Sequence, residues 1–276
     1  MLTSLILSDC AIGDAGASAV ASALPKTLLE LDLSSNEFSA LGLADVATAL
    51  RLGKTPALTH LNISGNEVGP GGGAELGETL PVGTPALTHL DLRGCFLMDS
   101  GVTWLTPALP LCKEITVLHL SSNGMGDDGI TALAQALPLC GALKHLGLAM
   151  NCVTGDGVWA LVEEMVHEGS VLTSLNLKGN SLGDEGASAI ADVLADVPSL
   201  EVVNLAQNAI DEEGGMELAD ALSTLPPENR SSLTIILEGN PAGIVESVRS
   251  RLENICGATV DIKLSAVKAL ETGYGR

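Results

Sequence analysis

The chain has 276 residues, of which 46% are hydrophobic but only 2% aromatic, and its 13 Lys plus Arg face 34 Asp plus Glu for a net charge of −21. So acidic a surface repels phosphate backbones and offers few aromatic platforms for bases, which argues against nucleic acid as a partner. Six Cys without a C-x-x-C pair or zinc-like spacing point to reduced thiols in a cytoplasmic setting, and no apolar run reaches the roughly 18 residues of a membrane helix.

Taken in order, the chain returns to one phrase nine times. Its clearest copy is Leu172–Ser199, which opens L-x-x-L-x-L-x-x-N on Leu172, Leu175, Leu177 and Asn180. Registered on the place of Asn180, the series is Cys10, Asn36, Asn66, Cys95, Asn123, Asn151, Asn180, Asn208 and Asn240, with gaps of 26, 30, 29, 28, 28, 29, 28 and 32 residues. Each L-x-L predicts a short strand that turns Leu inward and the intervening residues outward. The ladder Asn carries an amide that both donates and accepts, suited to backbone groups where the chain leaves the strand.

A G-D turn follows, as at Gly13-Asp14, Gly126-Asp127, Gly155-Asp156 and Gly183-Asp184. Its Asp is expected to cap the helix it opens and to favour that helix's positive end. The helix then presents aliphatic residues four apart, such as Leu76/Leu80, Leu133/Leu137 and Ile190/Leu194. One unit cannot bury this face alone, so the units must stack.

The ends differ. Leu2 already holds the first repeat position, so a partner or a preceding segment is expected to cover the first strand's edge. At the other end, the loop Ser223–Ser232 carries Pro226, Pro227 and Arg230, and a helix is predicted from about Ala242 to Ile255. The alternating segment Ala258–Leu264 reads as a closing strand with a short tail helix, a C-terminal cap over about 257–276.

This pattern resembles the leucine-rich repeat family, and the unit length near 28 with a helical second half resembles its ribonuclease-inhibitor-like class, over about residues 2–256. The resemblance implies an α/β solenoid, a horseshoe with a parallel β-sheet on the concave face and α-helices on the convex face. It also implies one domain over 1–276 and a non-enzymatic scaffold that grips a partner protein in the concavity. The repeats are also similar to those of the Ran GTPase-activating protein, a family that adds a functional Arg in an early loop and an acidic tail. Here the loops after Cys10, Asn36 and Asn66 hold no Arg, and Lys263–Arg276 is mixed in charge. A third resemblance is to the sensing end of larger nucleotide-binding, leucine-rich repeat receptors, although this sequence contains no nucleotide-binding segment.

No G-x-S-x-G, G-x-x-x-x-G-K-[ST] or H-E-x-x-H motif is present, and neither a catalytic residue, a cofactor nor a metal is assigned. The concave strand positions are more informative. The first of each strand's two outward columns runs Ser4, Glu30, His60, His89, Val117, His145, Ser174, Val202; the second runs Ile6, Asp32, Asn62, Asp91, His119, Gly147, Asn176, Asn204. Four of the five His therefore share one surface in four consecutive repeats. They read as a divalent metal site, a pH-sensitive docking face, or a polar binding surface whose His came from a duplicated T-H-L segment.

Glu30, Asp32 and Asp91 make the N-terminal half of the concavity acidic, with Asp9 at its edge and Arg93 and Lys178 offsetting them further along. That half is expected to receive a basic patch. Trp159 takes an outward helix position filled elsewhere by Ser18, Thr131 and Ser188, which makes it a contact candidate. Trp104 is expected to repack between helices around a kink at Pro107, Gly71 to Gly73 to loosen a helix start, and Cys112 and Cys140 to be two buried thiols.

Overall fold

The computed structural model describes residues 1–166, 170–226, 229, 233–241 and 244–256. Nine three-residue strands lie in them: β1 (Ser4–Ile6), β2 (Glu30–Asp32), β3 (His60–Asn62), β4 (His89–Asp91), β5 (Val117–His119), β6 (His145–Gly147), β7 (Ser174–Asn176), β8 (Val202–Asn204) and β9 (Thr234–Ile236). They pair in sequence order as one parallel sheet. The register never slips, so the central residues Leu5, Leu31, Leu61, Leu90, Leu118, Leu146, Leu175, Val203 and Ile235 form one row. From Leu31 onward that row is buried, while most of its strand neighbours face outward.

A helix follows every strand: α1 (Gly13–Ala23), α2 (Ala40–Arg51), α3 (Gly69–Gly83), α4 (Met98–Leu105), α5 (Asp127–Ala136), α6 (Gly155–Met165), α7 (Gly183–Val193), α8 (Glu212–Thr224) and α9 (Ile244–Cys256). Between sheet and helices lies an aliphatic core, with Leu76, Leu80, Leu133 and Ile190 fully buried. The molecule is thus the leucine-ribbed solenoid that the periodicity predicts. The cap predicted over 257–276, with its strand Ala258–Leu264, lies outside the described residues, as do Pro227 and Arg230.

The ladder Asn residues knit successive turns together. Asn123 Nδ2 donates to the Leu92 and Leu120 carbonyls at 2.8 and 2.9 Å, and its Oδ1 accepts from the Cys95 and Leu97 amides at 3.1 and 3.2 Å. Its own amide donates to Asn151 Oδ1 at 2.9 Å, and Asn36, Asn66 and Asn180 repeat this last bond with the next ladder residue or accept it from the one before. At Cys95 a thiol stands in the ladder; burial pushes it up to about 12, and its Sγ lies 3.4 Å from the Ile63 carbonyl.

The G-D Asp does not cap the helix it opens. Asp14 accepts from the Ser39 and Gly42 amides at 2.7 and 2.9 Å and Asp127 from Thr154 at 2.8 Å; Asp99, at the same place in its repeat but after Met98, accepts from Gly126 and Gly129 at 2.6 and 3.0 Å. Each carboxylate therefore caps the helix of the following repeat, because neighbouring helix starts lie side by side and its own first amides point elsewhere. The Ser39 amide, bonded to Asp14, holds that carboxyl below its ordinary range. A glycine three residues beyond the first capped position (Ser39, Gly126, Thr154 or Asp211) belongs to this contact. A Cβ at Gly42, Gly129, Gly157 or Gly214 would come under 3.0 Å from the preceding repeat's Asp.

Two expectations about the third and fourth repeats are corrected. α3 is helical from Gly69, with Pro70 in its first turn, so the glycine run does not loosen its start. A Cβ at Gly73 or Gly77 would meet the backbone carbonyl of Gly101 or Trp104, so these glycines let α3 and α4 approach backbone to backbone. That approach leaves no room for an indole, and Trp104 points outward, 66% exposed. The kink itself is present. α4 stops at Leu105 and runs on as a 3₁₀ helix, Thr106–Leu111, containing Pro107 and Pro110. Cys112 and Cys140 are free thiols, half-buried and each pushed up to about 11 by burial, and Cys140 Sγ donates to the Ala136 carbonyl at 3.2 Å.

Candidate functional site

The outward columns of β3 to β6 carry the His cluster, and the duplicated T-H-L segment sets its geometry. Thr59 Oγ1 donates to the Leu29 carbonyl at 2.9 Å, and Thr88 Oγ1 to the Thr59 carbonyl at 3.0 Å. With its one proton committed, each hydroxyl can only accept from the neighbouring imidazole. His60 Nδ1 lies 2.9 Å from Thr59 Oγ1 and His89 Nδ1 2.8 Å from Thr88 Oγ1. Both neutral rings are thereby held as the Nδ1–H tautomer, with Nε2 left as an acceptor. The two rings stack with centroids 4.1 Å apart and planes 15° from parallel.

His119 pairs in register with Asp91 on one side and Gly147 on the other. A Cβ at residue 147 would lie 2.7 Å from His119 Nδ1, so the glycine is what admits the ring. Burial pushes His89 below its ordinary value, and His60, His119 and His145 add to the effect. Burial also lowers His119, with Arg93 and His145 acting alongside it and Asp91 opposing. His89 and His119, at the centre of the cluster, are thereby biased towards neutrality. Among the described residues no group of three or more His, Cys, Asp or Glu is arranged to hold a metal ion.

The acidic half is smaller than the sequence implies. Arg93 does not stand further along; its guanidinium grips Asp91 through Nε–Oδ1 and Nη2–Oδ2 contacts of 3.0 and 2.5 Å. Asp32 accepts from Ser34 and from Asn62 Nδ2 at 3.1 Å, and Glu30 accepts from Ser4 Oγ at 2.7 Å. Among the described residues no Lys or Arg forms an ion pair with Glu30 or Asp32, although Arg93 feels the Asp32 carboxylate at longer range, while Asp91 is directly paired. Asn176 bonds the Lys178 amide at 3.1 Å, and Lys178 stands half-buried at the far side of the face. Trp159 lies apart on α6, 41% exposed.

Among the described residues, two shallow recesses, each about 210 Å³ with open solvent included, lie away from these groups, around Cys112 and Cys140. No described helix is long and apolar enough to cross a membrane.

A family model described as leucine-rich repeat matches residues 1–21, 25–47, 56–77, 112–134, 170–191 and 198–219, each segment holding one strand, β1, β2, β3, β5, β7 or β8. The chain is a leucine-rich repeat protein. Among solved structures it is similar to the leucine-rich repeat-containing protein LegL7 from Legionella pneumophila, at 22% identity over 92% of this chain and 80% of that one, with a TM-score of 0.57. A more distant likeness is to leiomodin-1 actin-binding site 2, at 17% identity over 66% of this chain and 88% of that one, with a TM-score of 0.42. No curated protein matches.

Proposed function

We propose that this leucine-rich repeat protein is a non-enzymatic scaffold of the ribonuclease-inhibitor-like class that grips a partner protein across its concave sheet. The observation carrying this reading is the ordered His60–His89 stack continued by His119 and His145. It occupies strands whose counterpart β7 holds only Ser174 and Asn176 at the same places. A fold that needs no imidazole there carries four, two of them, His60 and His89, anchored by threonine and presenting acceptors. Glu30 and Asp32 beside them supply the electrostatic complement to a basic patch on the partner, and Asn62, Asp91, Arg93, Asn176 and Lys178 extend the polar surface. Trp159 gives a separate contact on the helical face.

The test is capture on immobilised wild-type protein and on His89→Ala/His119→Ala protein of equal thermal stability, with bound proteins identified by mass spectrometry. A specific partner is recovered by the wild type, lost with the double variant, and bound more weakly as salt rises from about 0.05 to 0.3 M. Equal recovery on both surfaces removes the concave reading. Salt-insensitive affinity removes the role given to Glu30 and Asp32.

A further inference from the structure

A second surface lies along the rim where the helices end and the chain turns back to the sheet. Sixteen residues after each ladder position stand Lys26, Leu52, Val82, Leu111 and Leu139 in the first five repeats, and Asp196 in the seventh. Asp196 shows that the fold accepts a charge there, yet Leu52, Val82, Leu111 and Leu139 are 62–73% exposed and form an apolar row across four consecutive repeats. Two shallow recesses are lined by the residues two before, one after and four after Leu111 and Leu139. One is lined by Leu109, Cys112, Ile115, Leu118, Cys140 and Leu143, the other by Leu137, Cys140 and Leu143 with Ser170 to Leu172. Apolar side chains thus stand up between apolar dimples.

The charge here runs against that of the chain. Residues 1–226 contain seven Lys and Arg, and five of them, Lys26, Arg51, Lys54, Lys113 and Lys144, belong to this rim. Arg51 is paired with Glu75 at 2.7 Å, and Lys54 Nζ caps the end of α1 through the Ala21 and Ser22 carbonyls. Lys113 and Lys144 are exposed, flank the recesses and share the rim with Glu114, and the Lys113 charge is felt at the Cys140 thiol.

We propose that this rim docks an acidic amphipathic helix of a partner protein, its apolar stripe laid along Val82, Leu111 and Leu139 and its carboxylates on Lys113 and Lys144. Adjacent repeats are about 5 Å apart at the strands and about 8–10 Å apart at the helices. A helix matches that range, since residues four and seven apart rise about 6 and about 10.5 Å. An anionic bilayer offers the same chemistry but would also face the chain's net charge of −21, whereas a single helix meets only the rim.

The probe is a fluorescein-labelled peptide of about sixteen residues, with Leu at helix spacing flanked by Glu, followed by anisotropy. Saturable binding is expected, weakened about tenfold or more by Leu111→Glu/Leu139→Glu and by Lys113→Glu/Lys144→Glu. The charge-reversed protein should instead gain affinity for the same peptide with Lys in place of Glu. Leu41→Glu, an exposed leucine on α2, should change nothing. Absence of peptide binding, or binding indifferent to both rim variants, overturns the proposal. So does rim-dependent binding to phosphatidylserine vesicles without peptide binding, or a rim-dependent dimer in sedimentation, which would assign the row to a membrane or to a second copy.

Discussion

Replacing Asn123 by Ala removes a side chain that is 1% exposed and serves five backbone groups, of which the Ser121 carbonyl keeps the Gly94 amide at 2.9 Å. The Leu120 carbonyl keeps a partner, because Asn151 Nδ2 also donates to it at 3.0 Å. The Cys95 and Leu97 amides and the Leu92 carbonyl lose theirs. A buried polar group left unpaired costs about 1–3 kcal/mol, so three of them cost about 3–5 kcal/mol once water enters the void. Asn36 serves analogous groups, but its bonds to the Cys10 amide and the Leu7 carbonyl are only part-buried in the edge repeat, where water can replace them. Asn36→Ala should cost about 1–2 kcal/mol. Urea denaturation followed by circular dichroism measures both. Because repeat arrays can open locally, amide exchange at Cys95 and Leu97 checks where the loss falls. Equal costs for the two variants would refute the reasoning, since burial is the difference on which it rests.

Acidification tests the His cluster. His89 and His119 are held below the free value of 6.5, so above that pH neither the folded nor the unfolded chain carries their protons. As pH falls through 6.5 the unfolded chain takes them up first, and stability falls until the folded values are passed. The melting temperature should drop between about pH 7.5 and about pH 5.5, and by less in His89→Gln/His119→Gln; an identical drop in both proteins contradicts the assignment. Gly73→Val should destabilise by about 3 kcal/mol, because its side chain meets the Gly101 carbonyl, whereas Trp104→Ala should cost under about 1 kcal/mol. Chemical denaturation of the two variants tells a close backbone contact from a packed indole.

The period of about 28 residues and the two-residue alternation are properties of the chain itself, and they were enough to place the nine strands, the ladder and the columns that face the concavity. The columns put His60, His89, His119 and His145 on one surface because parallel strands in unbroken register carry equivalent positions side by side. Sideways contacts follow a different logic. Asp14 and Asp127 reach the next helix, Arg93 turns back on Asp91, and Trp104 is turned out by the approach of α3 to α4. Each depends on the distance between neighbouring helices or on a rotamer, and neither is written in a periodic pattern. The rim row was present in the sequence, at a constant offset from the ladder. It acquired meaning only when the helix ends lay in line and left those leucines uncovered, since exposure belongs to the assembled solenoid and not to any one of its repeats.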